Sequence, residues 1–261
     1  MTIWVDPPTW PAHGHLWSHV ISDTSLEELH AFAAAAGIPG RSFEGDHYDI
    51  PEQRHADVVA AGALPVSGRE VARKLASSGL RFRKLKGERP LGRYPDGLVA
   101  VGGPHTLDVI ASAHEPIATA RAAVVVICDD SRIVLVRSTS RPGWAPPGGK
   151  REAAETIHQA AVREVREETS LVLATGDIVP VGYERVSIEP GQQRGIWRAG
   201  VNHIAVFGAQ LTRRRKVQAM SPDVLTAGWF DVHSAQRRCG HEPWWPLVTD
   251  WLHQLRIVPR P

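Results

Sequence analysis

Acidic side chains crowd one short stretch in the second half of the chain: Glu164, Glu167 and Glu168. Thr156, followed three residues later by Gln159, can form a capping box, which predicts a helix from there to about Thr169. Because residues three and four apart share one side of a helix, the carboxylates would project together. Crowded carboxylates repel unless a divalent cation lies among them, and a ligand set of oxygens alone favours Mg²⁺ or Mn²⁺.

The opposite side of the predicted helix is apolar and carries Ile157, Ala161 and Val165 at four-residue steps, so it is expected to pack against a sheet. Arg163 lies among the acids and is suited to orient carboxylates by forked hydrogen bonds. Before the helix, residues 144–149 contain two prolines and end in Gly-Gly, where a main-chain carbonyl can approach an ion closely. The alternative interpretation is a solvated helix stabilised by Glu and Arg pairs.

The stretch resembles the signature of the Nudix hydrolases, which is Gly, five residues, Glu, seven residues, Arg-Glu, an aliphatic residue, any residue, Glu-Glu, any residue, Gly and an aliphatic residue. The sequence matches this signature at Gly149, Glu155, Arg163, Glu164, Val165, Glu167, Glu168 and Leu171. It departs where Ser170 replaces the last Gly, which normally lets the helix end in a left-handed turn. We expect Ser170 to strain or reshape this exit, and catalysis to survive because every acidic position is kept.

The resemblance covers about residues 118–240 and implies a sandwich of helices around a mixed sheet. It also implies Mg²⁺- or Mn²⁺-dependent hydrolysis of a nucleoside diphosphate linked to another group, with a small nucleotide as the substrate. By likeness, the metal ligands are the carbonyl of Gly149 and the carboxylates of Glu164, Glu167 and Glu168. Glu164 would also deprotonate the attacking water, while Glu155 and Arg163 would orient the ligands.

Asp223 lies where members of that family often carry a further acidic ligand on a mobile loop. A simple Ser-Pro-Asp turn is the equal alternative for this residue. The basic run at residues 213–216 either contacts phosphates or forms a solvated loop. Residues 121–128 and 132–137 are predicted to form a hairpin, residues 201–211 a further strand, and the stretch from Pro243 a closing amphipathic helix.

The first 83 residues are rich in histidine and aspartate, and six of the thirteen histidines fall within the first 55 residues. The pattern predicts a small α/β domain with a strand at residues 3–5, a Pro-rich loop, and helices at about 25–36, 52–61 and 68–78. Candidate residues of a second site are Asp6, His13, His19, Asp46, His47 and Asp49. They either form a metal or phosphate site, or satisfy caps and turns in a small binding or structural module.

The phrases VDPP, WPAHG, LWSH, SDTS and DHYD are similar to a bacterial family known as domain of unknown function 4031, over about residues 1–80. That family offers no activity to transfer. Two alternatives to a Nudix hydrolase stay open. In one, the second half of the chain is a nucleotide-sensing module with little turnover. In the other, the first half is a separate metal-dependent phosphoesterase.

The chain has 261 residues, 43% hydrophobic and 22% charged, which is typical of a soluble globular protein. We expect three segments: a domain at 1–83, a linker at 84–97, and a Nudix-like domain at 98–261. The longest apolar run is too short to cross a membrane, and two cysteines suggest no disulfide framework, so the cytoplasm is the expected location. The net charge of +2 divides into −3 for residues 1–83 and +5 for the remainder, and the positive remainder suits an anionic nucleotide without requiring nucleic acid. Nothing in the sequence indicates an oligomeric state.

Overall fold

The computed structural model describes residues 2–114, 118–139 and 141–258. The chain divides into two compact units, Met1–Leu85 and Lys86–Pro261. Within the described residues, no helix has the length and apolar character needed to cross a membrane.

The first unit is a small sheet flanked by helices. Its elements are β1 (Ile3–Val5), β2 (Trp10–Ala12), β3 (His15–Ser22), α1 (Leu26–Ala35), β4 (Tyr48–Pro51), α2 (Glu52–Ala60), β5 (Leu64–Pro65) and α3 (Gly68–Ser77). Strand β3 is its centre, because it pairs with β1, β2 and β4. One face of the sheet packs on α1 and α2, and on the other face Ile21 contacts Val71 and Leu75 of α3.

The second unit is built around a larger mixed sheet. Its elements are β6 (Arg89–Pro95), β7 (Thr106–Ala111), β8 (Ala122–Cys128), β9 (Arg132–Ser138), β10 (Gly148–Lys150), α4 (Ile157–Thr169), β11 (Val179–Ile188), β12 (Gly200–Gln210), β13 (Val224–Asp231), α5 (Val232–Cys239) and α6 (Trp245–Gln254). The strand order is β13-β9-β8-β12-β11-β7-β6, with β10 also paired to β8. The β8–β12 pair is parallel and the remaining pairs are antiparallel.

Two apolar layers cover the two faces of this sheet. Helices α5 and α6 bury residues such as Leu247 and Leu252 against one face. Helix α4 buries Ile157, Ala161 and Val165 against the other face, as predicted. The expected sandwich of helices around a mixed sheet is therefore confirmed.

Two stretches differ from their predicted structure. Residues 84–97 were predicted to be a linker, but β6 within them pairs with β7 along its length at the edge of the sheet. An edge strand tolerates proline because half of its main-chain groups face away from the neighbouring strand. The sequence pattern therefore did not indicate a strand, since Pro90 and Pro95 are typical of loops. Part of the predicted Pro-rich loop near the N-terminus is instead the central strand β3. Its burial depends on neighbours that lie far away in the sequence.

Ser170 closes α4 in the left-handed conformation, with φ 64° and ψ 0°, so the exit that Gly normally provides is kept by a residue with a Cβ. A Cβ in this conformation costs roughly 1–2 kcal/mol, of which glycine's larger unfolded-state entropy cancels a part. We therefore expect Ser170→Gly to stabilise the second unit by about 1 kcal/mol. The measurement is urea unfolding, followed by hydrogen-exchange mass spectrometry of α4 peptides. Ser170→Ala keeps the Cβ and is the control, for which little change is expected.

Candidate functional site

Helix α4 begins at a capping box, as predicted from Thr156 and Gln159. The Thr156 hydroxyl accepts a hydrogen bond from the Gln159 main-chain N–H, and the Gln159 side chain accepts one from the Thr156 N–H. With this start fixed and the apolar side buried, the helix turns its acidic residues toward the loop that carries Gly148 and Gly149. The position of the acids thus follows from local sequence.

Glu164 lies directly against Gly149. A Cβ placed on Gly149 would be only 2.4 Å from Oε1 of Glu164, so no larger residue fits without displacing the carboxylate. Burial raises the pKa of Glu164, and the nearby charges of Glu167 and Glu155 also raise it, while the Arg163 guanidinium acts in the opposite direction. The glycine is therefore needed for the close approach of a carboxylate to the main chain.

Glu168 is the most buried of the three acids, with 9% of its surface exposed. Its Oε2 accepts a hydrogen bond of 2.9 Å from the Gly148 N–H and lies 3.7 Å from the Arg141 guanidinium. Burial raises the pKa of Glu168, against the charge of Arg141 and the Gly148 hydrogen bond, and the charge of Glu164 raises it further. The sequence contained no local signal for Arg141, which lies 27 residues before Glu168.

Arg163 joins the acids into one network, as the forked geometry of its side chain predicted. It donates to both carboxylate oxygens of Glu155, at 2.6 and 3.1 Å, and to the Lys150 carbonyl at 2.9 Å. It also donates to Glu164 at 2.9 Å and Glu167 at 3.1 Å. The hydrogen bonds from Arg163 lower the pKa of Glu155, and those to the carboxylates raise the pKa of Arg163.

The three glutamates do not form a compact group of metal ligands. Such a group would have one ligand atom of each residue within 4.8 Å of the others, and among the described residues the glutamates do not meet this condition. Glu167 is the most exposed of the three, since 43% of its side chain is exposed, and it accepts a hydrogen bond from Arg163. A surface depression of about 480 Å³ lies beside the network and is lined by Glu155 and Arg163, but not by Glu164 or Glu168.

Asp223 occupies the Ser-Pro-Asp turn before β13. Its main-chain N–H donates to the Ser221 hydroxyl, its carbonyl accepts from the Thr139 N–H, and its side chain is exposed. These main-chain contacts are the ones expected if Asp223 belongs to a simple turn.

Two arginine arrangements are structural. In the basic run, Arg214 makes a forked ion pair with Asp129 at 2.6 and 2.8 Å, and Arg215 donates to the Val172 carbonyl. In the sheet, the buried Asp108 accepts from Arg93 at 2.6 Å and from Arg185 at 2.7 Å across β6, β7 and β11. The second arrangement had no signal in the sequence, since its members are 15 and 77 residues apart.

The first unit brings five of its six candidate residues together. His19 on β3 lies opposite Asp49 on β4, and His47 immediately precedes β4. Nδ1 of His19 is 2.8 Å from the buried Asp6, and Nδ1 of His47 is hydrogen-bonded to the buried Asp46. Burial lowers the pKa of His47, but its hydrogen bond to Asp46 and the negative charges of Asp46 and Asp49 raise it to about 9.

His13 is the sixth candidate, and the structure places it elsewhere. It is exposed in the two-residue turn between β2 and β3, with φ 51°, followed by Gly14 with φ 77°. Two consecutive positive φ values are typical of the hairpin turn that matches strand twist. The contacts of His13 are therefore those of a turn residue, and its place in a second site stays a prediction.

The profile of the NUDIX domain matches residues 118–252, which is just over half of the chain. The chain belongs to the Nudix hydrolase family. The network of Arg163 and the glutamates is thus the Nudix signature in its folded form. A second profile, described as protein of unknown function DUF4031, matches residues 3–78.

Among curated Nudix proteins, the chain is similar to two from Bacillus subtilis (strain 168). It is 35% identical over 48 residues to an uncharacterised Nudix hydrolase, YvcI, covering 18% of this chain and 30% of that protein. It is 35% identical over 74 residues to a protein named putative 8-oxo-dGTP diphosphatase, covering 28% of this chain and 49% of that protein. The chain spans less than half the length of either relative.

Solved Nudix structures are similar to about half of the chain. The Ap4A hydrolase of C. elegans is 19% identical with a TM-score of 0.40, covering 52% of this chain and 98% of that one. The NUDIX domain of Shewanella oneidensis NrtR, solved with ADP ribose, is 16% identical with a TM-score of 0.43, covering 54% and 94%.

Proposed function

We propose that the second unit of this Nudix protein hydrolyses a diphosphate linkage in a nucleoside diphosphate joined to another group, and that it requires Mg²⁺ or Mn²⁺. The observation that carries the proposal is the placement of Glu164 and Glu168 against the glycine pair at residues 148–149. The metal ligands in this proposal are Glu164, Glu167, Glu168 and the Gly149 carbonyl.

The donor set fits a hard divalent ion. All its atoms are oxygens, and two of the carboxylates are largely buried beside each other. Burial raises the pKa of both in spite of the nearby arginines, so a divalent ion would stabilise their ionised forms further. Glu167 has its side chain 43% exposed, so it can rotate away from Arg163 to complete the set. A bound ion would withdraw charge from the diphosphate oxygens and lower the pKa of a bound water.

The side chains around the acids have separate tasks. Glu164, held beside Gly149, accepts the proton of the attacking water. Arg163 and Glu155 form a two-pronged ion pair that fixes the direction of Glu164, and they act as positioning residues. We assign no role to the exposed Asp223.

The test uses the full chain with Mg²⁺ and a substrate panel read by product mass. The panel contains nucleoside triphosphates, 8-oxo-dGTP, nucleotide sugars, ADP-ribose and dinucleoside polyphosphates. We expect at least one compound to be cleaved at the diphosphate, and the cleavage to stop when a chelator removes the metal. Tight nucleotide binding without any product would instead identify a nucleotide-sensing module.

A second prediction concerns Gly149, which lies against Glu164. In Gly149→Ala the new Cβ would overlap the Glu164 carboxylate. This carboxylate is the end of a flexible side chain, so we expect it to move aside while the fold is kept. Because misplacing a reacting group slows the chemical step, we expect kcat to fall by about tenfold. Gly176→Ala is the matched control, because nothing lies within 4 Å of its new Cβ, and it should retain the wild-type rate. Equal rates for both variants would contradict the assignment.

A further inference from the structure

We infer that His19, His47 and Asp49 in the first unit form a binding site for a divalent transition-metal ion such as Zn²⁺ or Fe²⁺. Each of these side chains offers one ligand atom, and the three atoms all lie within 4.8 Å of one another. Among the described residues, this is the one group of histidine, cysteine and acidic side chains that meets this condition. The inference is independent of the hydrolase activity proposed for the second unit.

Each histidine is held with Nε2 facing the third ligand. Nδ1 of His19 lies 2.8 Å from the Asp6 carboxylate, and Nδ1 of His47 is bonded to the Asp46 carboxylate. A carboxylate at Nδ1 places the ring proton there and leaves Nε2 as a lone-pair donor. Histidines that ligate metals are commonly oriented in this way by a carboxylate behind them.

The orienting carboxylates are themselves fixed. Asp6 is 1% exposed and also accepts from the His19 main-chain N–H at 2.5 Å. Asp46 is 2% exposed and accepts from the Phe82 N–H at 2.5 Å. Buried, hydrogen-bonded carboxylates lock the ring orientations, so the geometry at Nε2 is set before any ion arrives.

Asp49 supplies an oxygen whose bonding is incomplete. Its Oδ1 is buried and has no hydrogen-bond partner among the described residues. The same oxygen lies 3.3 Å from Nε2 of His47 and 3.9 Å from Nε2 of His19. Buried polar atoms are normally paired, and an ion bound by this oxygen and both Nε2 atoms would supply its partner.

The separations match a shared ion. Ligand atoms about 2.0–2.2 Å from one metal lie roughly 3–3.6 Å from each other. The pair at 3.3 Å already meets this range, and the pair at 3.9 Å needs to close by roughly half an ångström. No large rearrangement of β3 or β4 is required.

The donor set selects the class of ion. Two imidazoles and one carboxylate suit Zn²⁺ and Fe²⁺, whereas Mg²⁺ and Ca²⁺ prefer oxygen ligands alone. The side chains of His19, His47 and Asp49 are 26%, 16% and 35% exposed, so solvent reaches the group. Three protein ligands then leave coordination positions for water or another molecule.

The test is titration of the metal-stripped full chain with Zn²⁺, and with Fe²⁺ under anaerobic conditions, in the presence of excess Mg²⁺. We expect one ion per chain, and X-ray absorption at the metal edge to show imidazole nitrogen ligands. Asp49→Asn keeps the side-chain shape and removes the ligand charge, and Asp6→Asn weakens the orientation of His19. Each should raise the dissociation constant by at least about tenfold.

His15→Ala is the matched control, because His15 is an exposed histidine on the same strand outside the group, and it should bind the ion as the wild type does. Binding that is equal in the wild type and Asp49→Asn would place the ion elsewhere and overturn the inference. A wild-type chain that takes up neither ion would also overturn it. Circular dichroism of Asp49→Asn confirms that its fold is kept.

Discussion

Replacing Glu164 by Gln is expected to lower kcat by at least about a hundredfold for whichever substrate the chain hydrolyses. The amide keeps the shape of the side chain beside Gly149, but it neither accepts the proton of the attacking water nor offers the same charge to a metal. Arg163 retains its two bonds to Glu155, so the helix and its network should persist. The measurement is steady-state turnover at saturating Mg²⁺, with product identity checked by mass.

The control for this prediction is Glu152→Gln. Glu152 is exposed in the loop just before α4, and its main chain bonds to Glu155: its N–H donates to the Glu155 carboxylate and its carbonyl accepts from the Glu155 N–H. Its loss of charge matches that in Glu164→Gln, and it should leave turnover within about twofold, as is usual for surface substitutions. If Glu164→Gln hydrolyses every substrate as fast as Glu152→Gln does, Glu164 is not the base.

Replacing Glu184 by Gln is expected to stabilise the second unit by about 3 kcal/mol above pH 7. Glu184 lies in the middle of β11, paired with Val109 and Ile204, and is 5% exposed. Burial raises the pKa of Glu184 from 4.5 to about 7. Ionising this carboxyl inside the sandwich is therefore costly, whereas an amide of the same shape carries no charge.

The sign of the pH dependence follows from the raised pKa. The folded state holds this proton more tightly than the unfolded state does, so its stabilising contribution is complete below pH 4.5. It is then lost as the pH rises through about 7. The stability gap between Glu184→Gln and the wild type should be small at pH 4.5 and largest above pH 7.

Urea unfolding at a series of pH values, read by hydrogen exchange of a β12 peptide, measures this gap. Glu189→Gln, at an exposed position just beyond β11, is the control and should show no such rise. A gap that stays constant between pH 5 and pH 8 would contradict the burial argument.

Residues within one helical turn of each other determined much of the candidate Nudix site. The capping box of Thr156 and Gln159, the apolar positions at four-residue steps and the acidic positions opposite them are interactions over three or four residues. Their geometry is that of any α-helix, so the sequence alone predicted α4 and the side that it buries.

Contacts between distant segments were decided only by the tertiary structure. The strand character of β3 and β6 depends on the strands beside them, and the burial of Glu184 depends on β7 and β12. The same holds for the bond between Gly148 and Glu168. Strand pairing and burial are properties of the neighbours that a segment meets after folding, and those neighbours are not encoded in its own few residues.

The histidine and aspartate cluster shows both contributions in one place. The sequence by itself determined which residue types were available in the first unit, and their density indicated a site. The pairing of β3 with β4 places His19 opposite Asp49, and the sequence does not show this pairing. The hairpin turn that contains His13 likewise forms only when β2 pairs with β3. The physical reason is that ligand geometry is set to tenths of an ångström by long-range packing, while composition and local spacing fix only the chemistry on offer.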